Sequence, residues 1–297
     1  MAEMNRPSVR NTPDDRKCLS GRNDIPFSHF DAFSGNLPDG SSFSETASLL
    51  RKFGYSDLLI ISQDTARLKE KIRAIVSEGV PLSFRTCAEI RVPDAGKLIG
   101  KVSSARNNAD FVLVRSSDEK VMRAAVDSPK VDILIPYENG RTGMINQIVA
   151  KAAADNDVAF AFEISPLINS RGYRRARYIA GISEMVPILR KYNVPILLIS
   201  GAGNFYDFRD AFVREAIGQL FTLTPEECRK ACSDNYLKMI RLADMKKEGR
   251  YLGNGIEITE PETTVPGTET PGSSGLSGKQ MTETSEPSSG TDPDAEE

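Results

Sequence analysis

Residues 111–137 read FVLVRSSDEKVMRAAVDSPKVDILIPY, in which two apolar runs flank a segment of helical period. The runs 111–115 and 131–137 are almost continuously apolar instead of alternating, which is typical of β-strands that are covered on both faces. The segment between them, 118–128, predicts an amphipathic helix. A strand, a helix and a second strand in this order form a βαβ unit, so the stretch predicts an α/β fold with a parallel sheet.

The same alternation continues on both sides of this stretch. The other predicted strands are 27–33, 58–62, 82–90, 158–165 and 194–200. The other predicted helices between them are 44–53, 65–78, 94–108, 143–155 and 173–192. The spacing is that of repeated βαβ units, which predicts about seven parallel strands in one sheet.

Seven parallel strands fit either a closed barrel or an open, doubly wound sheet. The open sheet usually binds a nucleotide at a Gly-x-Gly-x-x-Gly loop after its first strand, and no such loop follows residues 27–33. Gly201-Ala202-Gly203 follows the last strand but lacks the third glycine. We therefore predict a TIM-like (β/α) barrel over residues 25–250.

Extra C-terminal helices follow the last predicted strand, over residues 208–220, 225–232 and 235–247. The last of them includes Met239, Ile240, Leu242, Ala243 and Met245, more apolar residues than a solvated terminal helix needs. This helix is expected to close the bottom of the barrel, and a protein interface is the alternative.

The ends of the chain differ in composition from the barrel. The chain has 297 residues and a formal net charge of -3, from 38 Lys and Arg against 41 Asp and Glu. Residues 259–297 carry a charge of about -8, which leaves the rest of the chain mildly basic. This tail has too few apolar residues to offset the entropy of ordering, so we expect it to be disordered. Residues 1–24, which lack an apolar stretch, are expected to form a flexible N-terminal segment.

Composition also excludes several classes of function. His29 is the only histidine, so metal sites built from several imidazoles are excluded. The four cysteines are scattered and contain no Cys-x-x-Cys pair, so we expect reduced thiols and a cytoplasmic protein. No uninterrupted run of about 18 apolar residues is present, so no contact with the membrane interior is expected.

In such a barrel the carboxyl ends of the strands, with the loops after them, form the working face. Polar residues that fall there include Asp31, Glu89, Arg115 and Glu163. Paired carboxylates such as Asp31 and Glu163 could perform acid–base chemistry. The alternative is that these residues anchor loops or pair with Arg85 and Arg115 across the barrel mouth.

The most informative stretch follows the sixth predicted strand and reads SPLINSRGYRRAR over residues 165–177. It contains four arginines within seven residues: Arg171, Arg174, Arg175 and Arg177. The apolar period of the next helix predicts a start near Tyr173 or Arg174, where the helix dipole disfavours cations. Arginines clustered at an unfavourable end of a helix indicate that the segment has a function other than stabilising the fold. Guanidinium groups bind phosphate and Tyr173 can stack on a base, so we predict that these five residues bind RNA. A solvated or carboxylate-paired arginine cluster is the alternative.

These residues also carry a resemblance. Residues 161–167 (AFEISPL), 171–177 (RGYRRAR) and 190–202 (RKYNVPILLISGA) resemble the archaeal ribonuclease P protein component 3 family. Shorter pieces agree, among them Phe30-Asp31 on the first strand and residues 146–151 (NQIVAK). The resemblance extends from about residue 28 to about residue 245.

The resemblance implies a protein subunit of ribonuclease P, the ribonucleoprotein endoribonuclease that removes the 5′ leader from precursor tRNA. The family fold is an imperfect TIM-like barrel, and the family's active site lies in the RNA subunit, which uses Mg²⁺. The resemblance therefore implies no catalytic residue, metal or cofactor in this chain. The partners that it implies are the catalytic RNA, precursor tRNA, ribonuclease P protein component 2 and the other protein subunits.

The family barrel is related to metal-dependent phosphoesterases of the PHP group, which need a His-x-His on the first strand. This sequence reads His29-Phe30-Asp31 at that place, without the second histidine. It also departs from the family in the insertion-like residues 35–40 and in its acidic tail. Two alternative functions are a phosphoesterase-like hydrolase that uses Asp31, Glu89 and Glu163 around a metal, and a scaffold that binds only protein.

Overall fold

The computed structural model of the chain describes residues 29–34, 47–48, 50–77, 79, 82–253 and 256–257. Its strands are β1 (His29–Phe33), β2 (Tyr55–Ser62), β3 (Ser83–Ile90), β4 (Phe111–Arg115), β5 (Ile133–Ile135), β6 (Tyr137–Glu138), β7 (Arg141–Thr142), β8 (Ala159–Glu163), β9 (Ile196–Ile199), β10 (Tyr251–Gly253) and β11 (Ile256–Glu257). Its helices are α1 (Thr65–Ser77), α2 (Leu98–Arg106), α3 (Glu119–Val126), α4 (Gln147–Asp155), α5 (Ser165–Asn169), α6 (Tyr173–Lys191), α7 (Ala211–Gly218), α8 (Pro225–Cys232) and α9 (Asp234–Lys247).

Seven of the described strands form one parallel sheet in the order β1-β2-β3-β4-β5-β8-β9. The order in the sheet follows the order in the chain, as it does when a sheet curls into a barrel. The two edges meet where Phe33 at the end of β1 bridges Ala202, just after β9. The barrel is thus nearly closed, which confirms the predicted TIM-like (β/α) barrel of about seven parallel strands.

The wall of the barrel is apolar on both sides, which explains the continuous apolar runs of the strands. Side chains of alternate residues fill the interior, including Leu59, Leu113, Ile135, Ala161 and Leu197. The residues between them face outward and pack against the helices, including Val112, Val114, Leu134, Phe160 and Leu198. Because side chains alternate along a strand, the interior and the outer layer are both built from the same short runs.

Arg214 of α7 joins the two edges of the sheet where their backbone ladder is missing. Its fully buried guanidinium donates to the backbone oxygens of Phe30 on β1, at 2.6 Å, and Leu198 on β9, at 2.8 Å. The Nη1 atom of Arg214 also lies 3.5 Å from the Asp31 carboxylate. Burial opposes the charge of Arg214, but the surrounding negative groups, Asp31 foremost, together outweigh burial, so the pKa of Arg214 is raised. The side chain therefore replaces ladder hydrogen bonds between β1 and β9.

Asp31 lies on the outer side of the barrel wall, so the prediction that it belongs to the barrel mouth is wrong. Phe30 and Ala32 face the interior, and the alternation of side chains turns Asp31 outward. The Asp31 carboxylate accepts hydrogen bonds from the backbone nitrogens of Ala32 and Ser200, each at 2.7 Å. Asp31 and Arg214 together therefore hold the seam between β1 and β9.

The last helix, α9, lies across the amino-terminal end of the barrel. Its Tyr236 ring stacks on Phe30, with 3.6 Å between the ring centroids. Met239 and Ala243 of the same helix are buried against the interior cluster. The expectation that this helix closes the barrel bottom is confirmed.

Several predicted elements differ from the structure. The predicted strand 131–137 is shorter, because Pro136 follows β5 and the chain turns into the hairpin of β6 and β7. The predicted strand 158–165 ends at Glu163, and Ser165 already begins the short helix α5. The predictions for residues 1–24, 35–40 and 259–297 lie outside the described residues.

Candidate functional site

The barrel mouth is filled by a network of charged side chains. Glu89, Arg115 and Glu163 each lie two residues beyond an interior residue of their strand, so all three point inward at the carboxyl ends. The Arg115 guanidinium donates to both Glu163 oxygens, at 2.6 and 2.7 Å, and to Glu89 Oε1 at 2.5 Å. The three side chains are at least nine-tenths buried. The mouth carboxylates thus pair with Arg115, as the alternative interpretation holds. Arg85, which that interpretation also named, pairs instead with Asp244 of α9 at 3.0 Å.

The network sets the protonation of its members. Burial alone would raise the pKa of Glu89, but the guanidinium groups of Arg115 and Arg91 outweigh it and hold the pKa below its ordinary value of 4.5. Burial likewise opposes the charge of Arg115, but Glu163 and Glu89 together outweigh burial and raise the pKa of Arg115 above its ordinary value. Both partners are therefore fixed in their charged forms, which suits a structural ion pair and does not suit a proton donor.

We expect the Glu89→Gln variant to be less stable at neutral pH and less sensitive to acid. A lowered pKa gives stability that is present above the unfolded-state pKa and is lost as the pH falls through the folded-state value. The variant cannot titrate at this position, so its unfolding free energy should fall less between about pH 6 and about pH 3 than that of the wild type. At neutral pH the loss should be about 1–3 kcal/mol. Urea unfolding at a series of pH values measures both effects. Unfolding free energies that fall by the same amount with pH in the two proteins would contradict this prediction.

The mouth residues do not fit a metal ion. Both Glu163 oxygens and the Oε1 atom of Glu89 already accept hydrogen bonds from Arg115. Asp31, the third carboxylate of the hydrolase alternative, lies on the other side of the barrel wall. Throughout the residues that the structure describes, no group of three or more His, Cys, Asp or Glu side chains is placed to hold a metal.

The arginine segment, residues 171–177, lies beside the mouth because α5 follows directly from the end of β8. Gly172 joins α5 to α6 with a φ of +54°, a backbone conformation that favours glycine. α6 begins at Tyr173, as the apolar period predicts. Its Tyr178 is the first buried residue, and the hydroxyl of Tyr178 donates to the Glu163 backbone oxygen at 2.6 Å. The helix is thereby fixed to the end of β8 and presents the arginines to solvent.

All the predicted RNA-binding residues of this segment are exposed: Arg171, Tyr173, Arg174, Arg175 and Arg177. Arg175 Nε donates to the Ser170 backbone oxygen at 2.9 Å. Within the described part of the chain none of the four arginines has an ion-pair partner. The first turn of α6 has no acidic residue and no side-chain cap, so its free N–H groups add to the positive field. The segment can therefore bind anions.

The hairpin that faces this segment is not among the elements predicted from the sequence. Asn139 and Gly140 connect β6 to β7 with positive φ values of 50° and 75°, as a type I′ turn requires. The pair Asn139-Gly140 favours a two-residue turn between strands, and it was the signal in the sequence that could have indicated the hairpin. The turn is followed by Arg141, a fifth exposed arginine at this face.

The helices of the described residues are too short or too polar to cross a lipid bilayer.

The sequence has relatives among archaeal proteins. It is 32% identical to the ribonuclease P protein component 3 of Methanococcoides burtonii, over 82% of this chain and 98% of that protein. It is 33% identical to the protein of the same name from Methanosarcina mazei, over 76% of this chain and 93% of that protein.

The fold also has solved counterparts. A chain in the cryo-EM structure of archaeal ribonuclease P with mature tRNA superposes with a TM-score of 0.65, at 24% identity, over 79% of this chain and 99% of that chain. A structure of molinate hydrolase superposes with a TM-score of 0.50 at 10% identity, over 78% of this chain and 75% of that chain. At these identities both likenesses concern the fold alone.

The match to a known family covers almost all of the described barrel. It runs from residue 31 to residue 248, and it includes the mouth network, the arginine segment and the helix that closes the barrel bottom. The chain therefore belongs to the RNase P subunit p30 family.

Proposed function

We propose that this chain is a protein subunit of ribonuclease P, the endoribonuclease that produces the mature 5′ end of tRNA. The family match over residues 31–248 is the observation that carries the proposal. Two relatives, at 32% and 33% identity, bear the name of a ribonuclease P component and match over nearly their full length. In this proposal the chain contacts the catalytic RNA, precursor tRNA, component 2 and the other protein subunits.

The arginine segment is the part of the barrel that we assign to RNA. Its guanidinium groups are exposed and lack ion-pair partners in the described residues, and they stand at the free N-terminus of α6. Phosphate oxygens would relieve the repulsion between these cations and accept hydrogen bonds from them. Such contacts fix the position of an RNA and carry no base specificity.

Catalysis is assigned to the RNA subunit and its Mg²⁺. The mouth of this barrel holds Glu89 and Glu163 in ion pairs with Arg115, so no free carboxylate pair is left there for hydrolysis. This arrangement disfavours the hydrolase alternative. A cytoplasmic location remains a prediction from the sequence.

Incubation of precursor tRNA with the purified chain alone, in the presence of Mg²⁺, tests this assignment. The expected result is intact precursor tRNA together with RNA binding that weakens steeply as salt is added. Cleavage by the chain alone would revive the hydrolase alternative. Absence of RNA binding at low salt would favour the scaffold that binds only protein.

We expect chelation to have no effect on the isolated chain, because we propose that it holds no metal. Addition of excess EDTA should leave the thermal unfolding midpoint unchanged, since a metal bound only to the folded state would have raised it. The metal content of the purified protein should be far below one ion per chain. Stoichiometric zinc or manganese that is lost in the Glu163→Gln variant would overturn this expectation.

A further inference from the structure

A cleft separates the arginine segment from the hairpin of β6 and β7. Its volume is about 590 Å³ and falls in the range of small-ligand sites. The residues that line it are Tyr137, Asn139, Gly140, Arg141, Pro166, Asn169, Ser170, Tyr173, Arg174 and Arg177. Both walls thus contribute tyrosine, asparagine and arginine side chains, and no carboxylate is among these ten residues.

The hairpin wall of the cleft is held rigidly against α6. The Tyr137 ring meets the edge of the Tyr178 ring, with 4.7 Å between centroids. Thr142 packs so closely on α6 that a side chain at Gly181 would come within 2.8 Å of its Cβ atom. The Gly143 nitrogen donates to the Pro136 oxygen at 2.8 Å and fastens the base of the hairpin. The cleft is therefore formed before any ligand arrives.

The chemistry of the cleft matches a single nucleotide. Arg141, Arg174 and Arg177 have no ion pair within the described residues and can hold a phosphate from two sides. Tyr173 leaves 79% of its surface exposed, which is costly for an aromatic ring in water and useful for stacking on a base. The buried Ser170 hydroxyl has no hydrogen-bond partner in the described part of the chain, so it is available to a polar ligand atom.

We propose that this cleft binds one unpaired nucleotide of a single-stranded RNA segment, with the base stacked on Tyr173 and the phosphate held by Arg141 and Arg174. The proposal rests on the proposed function and adds a ligand class to it. A paired nucleotide does not fit this chemistry, because both faces of its base are covered in the duplex and cannot reach an aromatic side chain. Asn139 and Asn169 at the rim supply amide groups that can contact the base edge.

Binding of the full-length chain to two RNA probes tests the proposal. One probe is a short single-stranded oligonucleotide that carries 2-aminopurine, and the other is a fully paired RNA hairpin of equal charge. Tyr173→Ala should weaken binding of the single strand by about 5- to 100-fold. It should leave the slope of log affinity against log salt unchanged, because no charge is removed. Tyr173→Phe should retain the affinity, and Arg141→Ala should make the slope shallower by about one unit.

Tyr206, which is 85% exposed and lies outside the cleft, provides the matched control variant, Tyr206→Ala. Quenching of 2-aminopurine by the wild type but not by Tyr173→Ala would support the stacked base. Equal affinities of wild type and Tyr173→Ala for the single strand would overturn the cleft proposal. The proposed function would still stand in that case if removal of Arg174 and Arg175 weakened RNA binding. If Tyr173→Ala instead abolished only the binding of component 2, the cleft would be a protein interface and the proposal would be wrong.

Discussion

Replacement of Arg214 by methionine is expected to lower the free energy of unfolding by about 3–5 kcal/mol. The guanidinium is fully buried and satisfies the backbone oxygens of Phe30 and Leu198 across the open seam of the barrel. Its removal takes this donor from both oxygens and the countercharge from the buried Asp31 carboxylate, and methionine cannot supply either. Urea unfolding followed by circular dichroism measures the loss.

An exposed ion pair on the same barrel provides the control for this experiment. Arg190 donates to Glu227 at 2.6 Å, but 43% of the Arg190 side chain remains exposed. Arg190→Met should therefore cost no more than about 1 kcal/mol. The double variant Asp31→Asn/Arg214→Met should be less destabilised than the sum of its single changes, because the neutral amide no longer needs a countercharge. A loss below about 1 kcal/mol in Arg214→Met would show that the seam does not depend on this side chain.

The second large effect is expected from replacing Arg174 and Arg175 together with alanine. The loss of two phosphate contacts should weaken RNA binding by about 10- to 100-fold at low salt, to a similar degree for all sequences. The slope of log affinity against log salt should become shallower by about one to two units. The fold should be unaffected, since cations at the start of α6 oppose the helix dipole and cost about 0.3–1 kcal/mol each. Titration of labelled RNA at several salt concentrations, with a thermal melt of each protein, gives all three results.

The variant Lys120→Ala/Arg123→Ala removes the same charge from the exposed face of α3 and controls for a general electrostatic effect. Lysine at positions 174 and 175 should restore binding only in part, because the planar fork of arginine is lost. If the alanine variant lost its pairing with component 2 while RNA binding and its salt slope were unchanged, the arginines would belong to a protein interface.

The barrel could be predicted from the sequence because its strands are buried on both faces. Continuous apolar runs such as 111–115 carry this information locally, and the alternation with helices determines a parallel sheet. The start of α6 at Tyr173 was likewise readable from the apolar period of the helix. The exposure of the arginine segment then followed from the position of that start.

The seam could not be predicted, because it depends on contacts between residues far apart in the chain. Asp31 was expected at the mouth, since strand ends are known less accurately than the strands themselves and one residue reverses the direction of a side chain. Arg214 lies on the same face of α7 as the buried Ala211 and Gly218. An arginine at a buried position of the apolar period was therefore the one local signal for this partner.

Reconstitution of precursor-tRNA cleavage tests the central claim most directly. The catalytic RNA and component 2 are assayed with the wild-type chain, with the Arg174→Ala/Arg175→Ala variant, and without either. We predict that the wild-type chain increases cleavage, or lowers the Mg²⁺ concentration at which cleavage occurs, and that the variant has much less effect. Cleavage rates that are the same with and without the wild-type chain at every Mg²⁺ concentration would contradict its assignment as a ribonuclease P subunit.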